Sequence, residues 1–349
     1  MKKLIPLFFA CCLSVNAIAQ GNQPTIDYSA PANAPFTAEE VTIPAKGPAK
    51  GYTLAGTLLL PKNAKRPLPV VLTITGSGQQ TRDEPVPFPS LEKYRPMRQI
   101  AEALASRGIA VLRVDDRGVG GSGGRDTLMT ATSSSFADDT RAEVAYLRTR
   151  SEIDPKRIAL IGHSEGGMIA PMVAASDPQI AAIVSMAGDG KRGDLISMDQ
   201  IKDALDHAPG VTPEIRAQQI AFEQEAINAV QSGADLSKFP AQVRLPWLKE
   251  FWTYDPQATI RKVHQPILLL QGSVDRQITP EQATMLEQAA REGGNKDVTK
   301  QIFPNLNHLF LPAKTGTVEE YSSLTTSAIG DDVLKVMGDW LVIKLKVKR

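Results

Sequence analysis

Cysteine is nearly absent from this chain. Its 349 residues contain two, Cys11 and Cys12, both inside an N-terminal apolar stretch. A chain cut after that stretch has none, which excludes a disulfide, a thiolate nucleophile and a zinc–cysteine site. A bias of charge is also lacking. The 39 Lys and Arg residues nearly balance 38 Asp and Glu, and the two signs are interspersed throughout. Neither nucleic acid nor an anionic membrane surface is therefore expected as a partner. No apolar run beyond the N-terminus is long enough to cross a bilayer. No His, Asp or Glu grouping has metal-ligand spacing, so no metal and no cofactor are expected. Histidine is scarce too, with four in the chain, and this narrows the choice of a general base.

The N-terminus has the parts of a secretory signal peptide. Lys2 and Lys3 precede an apolar core from Leu4 to Ile18, and Ala17-Ile18-Ala19 is a small-x-small cleavage signal. The expected cut lies between Ala19 and Gln20, leaving a secreted or periplasmic protein with no membrane attachment. Phe8-Phe9-Ala10 before Cys11 makes a poor lipobox, which argues against a lipid anchor. Residues 20–40 are rich in Pro, Ala, Asn and Thr and read as a flexible leader.

From there strands and helices alternate. Apolar runs predict strands at 54–60, 70–75, 109–114, 158–161, 180–186 and 266–271, and a final short strand is expected at 299–303. Helical spacing appears at 96–107, from Ser135 to about 150, at 165–175, 280–291 and 331–346. Most strands are continuously apolar, the mark of a mostly parallel sheet covered on both faces, an α/β doubly wound architecture. Residues 191–264 break the alternation. They hold helical segments near 194–207, 213–232 and 246–253, separated by Pro209, Gly210, Gly233 and Pro240. This is the pattern of a helical cap inserted into a core made of 41–190 and 265–349.

Gly162-His163-Ser164-Glu165-Gly166 follows the strand at 158–161 and opens the next helix. Gly-x-Ser-x-Gly on a strand–turn–helix boundary is a nucleophile elbow, whose tight turn holds a serine hydroxyl away from the sheet. A serine is a weak nucleophile and needs a base. His163 adjoins it inside the elbow, His207 lies in the cap, and His264 precedes a strand at the wrong edge. His308 leaves the C-terminal end of the last strand, where ligands gather in open α/β sheets. It is the candidate base by elimination and by position. Asp275, just beyond the preceding strand at the same edge, is the candidate orienting acid, with Asp189 as its rival. Two backbone N–H groups must hold the oxyanion. Glu165 supplies one, and the loop Gly76-Ser77-Gly78-Gln79 the other, through Gln79 or its neighbour Gly78.

These residues resemble the α/β-hydrolase superfamily over roughly 50–349. More narrowly, the chain is similar to bacterial secreted or periplasmic esterase-like hydrolases. It carries Gly76-Ser77-Gly78-Gln79-Gln80-Thr81-Arg82-Asp83 where they carry Gly-x-Gly-x-x-x-Arg-Asp. Asp115-Asp116-Arg117-Gly118-Val119-Gly120-Gly121-Ser122 and Gly-His-Ser-Glu-Gly-Gly match two further turns. The resemblance implies an α/β-hydrolase fold and a carboxylesterase-like activity on small-molecule esters. The cap is matched least well, and an aminoacyl or short-peptide substrate remains the alternative. A binding protein that kept the fold without catalysis is a third reading, which the complete set of candidate residues opposes.

Three weaker signals complete the reading. Gly118-Val119-Gly120-Gly121-Ser122-Gly123 formally fits a dinucleotide fingerprint, but no helix opens there and Asp115 and Asp116 would face the phosphate. Arg82, Asp83, Glu84, Asp116 and Arg117 are expected to form an ion-pair network bracing the oxyanion loop rather than to grip a substrate carboxylate. Trp247, Phe251, Trp252 and Tyr254 cluster at the end of the cap. Trp247 and Trp252 are candidate substrate-binding residues, with cap core as the competing reading.

Overall fold

A computed structural model describes residues 26–46 and 51–347. The expected signal peptide, its cut after Ala19 and both cysteines lie outside the described residues. The strands are β1 (Phe36–Ala45), β2 (Tyr52–Pro61), β3 (Leu68–Ile74), β4 (Ala110–Val114), β5 (Ile153–His163), β6 (Ala182–Met186), β7 (Ile267–Gly272) and β8 (Val298–Phe303). The helices are α1 (Pro96–Ala105), α2 (Ser133–Thr149), α3 (Glu165–Ala174), α4 (Gly193–His207), α5 (Pro213–Ser232), α6 (Pro246–Thr253), α7 (Pro256–Ile260), α8 (Pro280–Glu292) and α9 (Asp331–Lys344).

All eight strands join one sheet in the order β1-β2-β4-β3-β5-β6-β7-β8. Strands β3 to β8 run parallel, while β1 and β2 pair antiparallel at one edge. Every residue of β3, β4, β6 and β7 is buried, which is why these strands read as unbroken apolar runs rather than alternating ones. Helices cover both faces. Val144 and Leu147 of α2, Ile169 and Val173 of α3 and Leu286 of α8 pack on one side. Met97, Ile100 and Leu104 of α1 and Val333, Met337 and Leu341 of α9 pack on the other. The α1 and α9 triplets recur at helical spacing, so each helix presents one apolar stripe to the sheet. This is the α/β-hydrolase fold.

Two expectations change. The leader was expected to reach residue 40, but Phe36–Ala45 forms β1; residues 26–35 carry no regular strand or helix. Glu39 and Glu40 hide the alternation of that strand, because both carboxylates are held by arginines from elsewhere. Arg150 Nη2 donates to Glu39 at 2.8 Å and Arg82 Nη1 to Glu40 at 2.7 Å. The cap of α2 moves as well. The helix expected from Ser135 opens at Ser133 with Thr132 as its N-cap, and Thr132 and Ser135 exchange hydrogen bonds as a capping box.

Between β6 and β7, helices α4 to α6 build an apolar cluster of their own from Ile196, Ile201, Ile227, Val230, Leu248 and Trp252, among others. No helix among the described residues is long and apolar enough to cross a membrane.

The central strands carry the stability of this arrangement. Leu72, in the middle of β3, has no exposed surface. Leu72→Ala should cost about 2–5 kcal/mol of unfolding free energy, the range for a buried leucine whose site cannot collapse. Urea denaturation of the two proteins side by side measures it.

Candidate active site

The turn after β5 imposes the geometry from which the site is built. Ser164 stands at φ 54°, ψ −119°, its N–H donating to Met186 O at 2.8 Å. A serine in this region is strained by on the order of 1–3 kcal/mol, which the surroundings must enforce. They do so by close backbone crossing. A Cβ on Gly162 would fall 1.9 Å from Gly166 O, and one on Gly166 would fall 2.3 Å from Ile74 O. Only glycines let β5, α3 and the end of β3 meet this closely.

The loops after β7 and β8 bring Asp275 and His308 together. His308 Nδ1 lies 2.9 Å from Asp275 Oδ2, and both side chains are buried. A carboxylate only accepts, so Nδ1 carries the proton of this bond. Asp275 is itself held. Its Oδ1 accepts from Gln277 N and Ile278 N, each at 2.9 Å, and its Oδ2 from Gln271 Nε2 at 2.8 Å. The His308 loop is shaped by Asn307, whose Oδ1 accepts from Leu309 N and Leu311 N. Tyr94, just before α1, donates its hydroxyl to Leu309 O. Asp189, the rival acid, is buried and apart from this pair. Burial, followed by the charges of Glu165 and Asp275, pushes its pKa up to about 8.

The loop after β3 comes against the nucleophile. A Cβ on Gly76 would lie 3.3 Å from Ser164 Cβ. Gln79 is exposed at the outer part of that loop. The five residues expected to form one ion-pair network each take partners from outside that set. Arg82 pairs with Asp115, donating to both carboxylate oxygens at 3.0 and 2.9 Å. Asp116 instead holds the loop, accepting from Gln80 N at 2.9 Å and Thr75 Oγ1 at 3.0 Å. Asp83 pairs with the buried Arg113, and Arg117 Nε donates to Asp139 at 2.7 Å. Arg82 and Arg117 are thus both buried and engaged within the fold.

The insertion reaches this site through α6. Glu165, the first residue of α3, is buried and accepts from Trp247 Nε1 at 2.7 Å and Ser133 Oγ at 2.5 Å. Burial raises its pKa against the pull of those hydrogen bonds. Trp247 stacks on Phe251 with ring centroids 5.2 Å apart. Glu250 fastens the same helix to the start of α2, accepting from Ser134 N at 3.0 Å and from its hydroxyl. Trp252 has a different place. It is 0% exposed and donates Nε1 to Ser197 Oγ at 2.9 Å, within the insertion's own core. A side chain with no accessible surface lines no pocket, so Trp247 and not Trp252 is the tryptophan that approaches the elbow. A polar cavity of about 30 Å³, room for one water, adjoins Glu165 and is lined also by Thr75, Asp116, Asp139 and Glu143. Among the described residues, no group of three His, Cys, Asp or Glu could hold a metal ion.

Sequence reasoning placed Glu84 among the residues bracing the oxyanion loop, which it does through Gly76 N–H, but it passed over Ser133 and gave His163 no role. His163 Nδ1 lies 2.8 Å from Glu84 Oε1, and its Nε2 lies 2.9 Å from His308 O. The signal was available, since His163 sits inside the elbow motif and Glu84 directly follows Arg82-Asp83 of the oxyanion-loop motif. Adjacency to the serine made His163 look irrelevant.

The family described as Serine aminopeptidase, S33 matches residues 91–313. That span holds Ser164, Asp275 and His308 but not the loop at 76–84. Esterase EstD of Thermotoga maritima is 23% identical over 299 residues, covering 83% of this chain. The chain spans 65% of that relative's length, just under two thirds. Among solved structures, the Pyrococcus furiosus esterase Pf2001 superposes with a TM-score of 0.59 at 17% identity, over 92% of this chain and 96% of that one. Est1E of Butyrivibrio proteoclasticus, solved with ferulic acid bound, gives 0.54 at 18% identity, over 86% and 96%. At these identities the two structures speak for the fold.

Asp189 yields a prediction about pH. It keeps its proton in the fold to about pH 8, whereas an aspartate in the unfolded chain releases it near 3.8. The folded state then binds more protons across that window, so this group's contribution to stability is lost as pH rises through it. Asp189→Asn cannot ionise. Its melting temperature should exceed that of the wild type by a margin growing from about pH 4 to about pH 8 and level above. Thermal melts across pH measure it; a margin that is flat with pH rules out a proton on Asp189.

Proposed function

Because the chain belongs to the Serine aminopeptidase, S33 family of α/β-hydrolases, we propose that it is a serine hydrolase cleaving small carboxylic esters. The observation that carries the reading is the buried His308–Asp275 pair, 2.9 Å apart, at the sheet edge where the strained elbow presents Ser164. The esterase relative from Thermotoga maritima supports an ester as substrate.

In this reading Ser164 Oγ attacks the ester carbonyl. His308 Nε2 takes the serine proton and returns it to the leaving alcohol. Asp275 holds the Nδ1–H tautomer and stabilises the imidazolium that forms. The N–H of Glu165 and one from the loop Gly76–Gln79, with Gln79 as the expected donor, hold the oxyanion. Water then cleaves the acyl-enzyme, with His308 acting as base a second time. No metal takes part in these steps.

The insertion sets substrate size. Trp247, fixed on Glu165 immediately after the nucleophile, places α6 over the elbow, and a covered site favours short acyl chains over emulsified lipid. The N-terminal signal directs the protein to the periplasm or outside the cell, cut between Ala19 and Gln20. An aminoacyl or short-peptide substrate is the second reading, favoured by the description of the family itself.

Ser164→Ala should lower kcat by at least about 10³-fold while leaving the melting curve in place, because members of such a triad act as a unit. The wild type should turn over p-nitrophenyl acetate and butyrate faster than the palmitate ester, and faster than aminoacyl-p-nitroanilides. Preference for the nitroanilides would transfer the assignment to the aminopeptidase reading. Unchanged turnover in Ser164→Ala would remove it altogether.

A further inference from the structure

A single hydrogen-bonded chain runs beneath Ser164 and joins the loops on either side of it. Gly76 N–H donates to Glu84 Oε1 at 2.7 Å. The same carboxylate oxygen lies 2.8 Å from His163 Nδ1. His163 Nε2 lies 2.9 Å from the carbonyl oxygen of His308. Both connecting side chains are buried, Glu84 at 4% and His163 at 7% exposure. The His163 ring packs 4.9 Å from that of His308 and 6.2 Å from that of Phe310, centroid to centroid.

Proton bookkeeping at His163 follows from its neighbours. A carbonyl oxygen only accepts, so Nε2 carries a proton. Glu84 Oε1, which already accepts from Gly76, faces Nδ1, and a proton there completes a charge-assisted bond. Both ring nitrogens therefore donate, which makes His163 an imidazolium against a carboxylate. Burial alone would drive that proton off. The charge and hydrogen bond of Glu84, the His308 carbonyl and the more distant Asp275 outweigh it and hold His163 above the usual imidazole range. A neutral ring has one N–H and would leave one of its two acceptors without a donor.

The connected loops carry strain. Glu84 stands at φ 54° and Phe310, two residues past His308, at φ 55°. Left-handed conformations in non-glycine residues persist where surrounding contacts over-determine them. The Glu84–His163 link is a contact shared by both loops.

We propose that Glu84 and His163 are a positioning pair that sets the spacing between the loop at Gly76–Gln79 and the loop carrying His308. The proposal rests on the serine-hydrolase reading, and neither residue touches the substrate. His163 supplies two N–H donors on a rigid ring, which lets it span a carboxylate and a carbonyl at once. Glu84 supplies one oxygen that gathers donors from both sides. Through them the oxyanion donors and the base are held in register across the serine.

The test uses the full chain and four proteins: wild type, Glu84→Ala, His163→Ala and Glu84→Gln. For each, kcat and KM on p-nitrophenyl acetate, the rate of fluorophosphonate labelling and a thermal melt are measured. The two alanine variants should lose on the order of 10²-fold in both kcat and labelling rate, the cost of a displacement of about 1 Å. KM should stay within about threefold, since the binding contacts are untouched. Glu84→Gln keeps an oxygen for Gly76 N–H and His163 Nδ1–H and should recover to within about tenfold of wild type. A purely structural pair would lower the melting temperature while the folded alanine variants kept wild-type kcat, and that result overturns the proposal. Glu84→Gln as inactive as the alanine variants overturns it as well. Should the alanine variants fail to fold, nitrogen-15 spectra of histidine-labelled wild type decide. Both ring nitrogens of His163 protonated at neutral pH is the expected result, and a neutral His163 overturns it. A wild type with neither turnover nor labelling would sink the hydrolase reading first, and the pair's role with it.

Discussion

The approach of three backbone segments around Ser164 is the constraint on which the rest depends. The end of β5, the start of α3 and the end of β3 meet so closely that a Cβ on Gly162 or Gly166 would fall inside a carbonyl oxygen. That contact drives Ser164 to φ 54°. It also makes position in the fold equivalent to position in the site. The loop after β3 has no choice but to lie against the serine, since β3 and β5 are hydrogen-bonded neighbours. The loops after β7 and β8 arrive at the same edge because all these strands run parallel.

An arrangement of this kind leaves many charged groups out of water, and each must be accounted for. Arg82, Asp83, Arg113, Asp115 and Arg117 are almost fully buried. Burying an ion is costly, and a partner offsets that only with good geometry. The geometry here is specific. Arg82 meets Asp115 with two parallel hydrogen bonds, reaches Glu40 on the edge strand, and hydrogen-bonds Thr57 of β2. Asp115 in turn accepts from Arg82 N and Gly121 N. Such a cluster contributes shape more than stability, because it holds two loops in one mutual orientation and penalises the alternatives.

Among the polar side chains that attach the insertion to the core, two from α6 reach the heads of core helices. Trp247 ends on Glu165 at the head of α3, and Glu250 ends on Ser134 at the head of α2. Both are helix N-termini, where the unpaired backbone N–H groups and the positive end of the helix favour a carboxylate. The apolar packing of the insertion is largely its own. Its stability and its docking are therefore separable, and a change in the docking contacts acts on the elbow without dissolving the helices.

Local pattern was enough for most of the architecture. Seven of the eight strands were located, most of them by apolar runs, because a strand buried on both faces is predominantly apolar rather than alternating. Proline and glycine marked the ends of α5, α6 and α8, and the insertion was visible as a gap in the alternation. Asp275 and His308 were legible as the acid and the histidine beyond the last two strands, and they lie in contact. The remainder required the folded chain. The first half of strand β1, to residue 40, was read as leader because Glu39 and Glu40 look like solvent-facing residues until Arg150 and Arg82 arrive from more than forty positions away. Asp115 and Asp116 are adjacent in sequence but point to opposite sides of an extended backbone, so which of them meets Arg82 is decided by the pleat. Trp252 and Trp247 share a helix and a chemistry, yet one is core and the other meets Glu165. His163 stood next to the serine in every reading, but its partners come from 79 and 145 residues away. Sequence alone determined which elements form, since those depend on neighbours a few residues apart. Tertiary structure decided which polar side chains meet, since that depends on the register and direction in which distant segments are brought together.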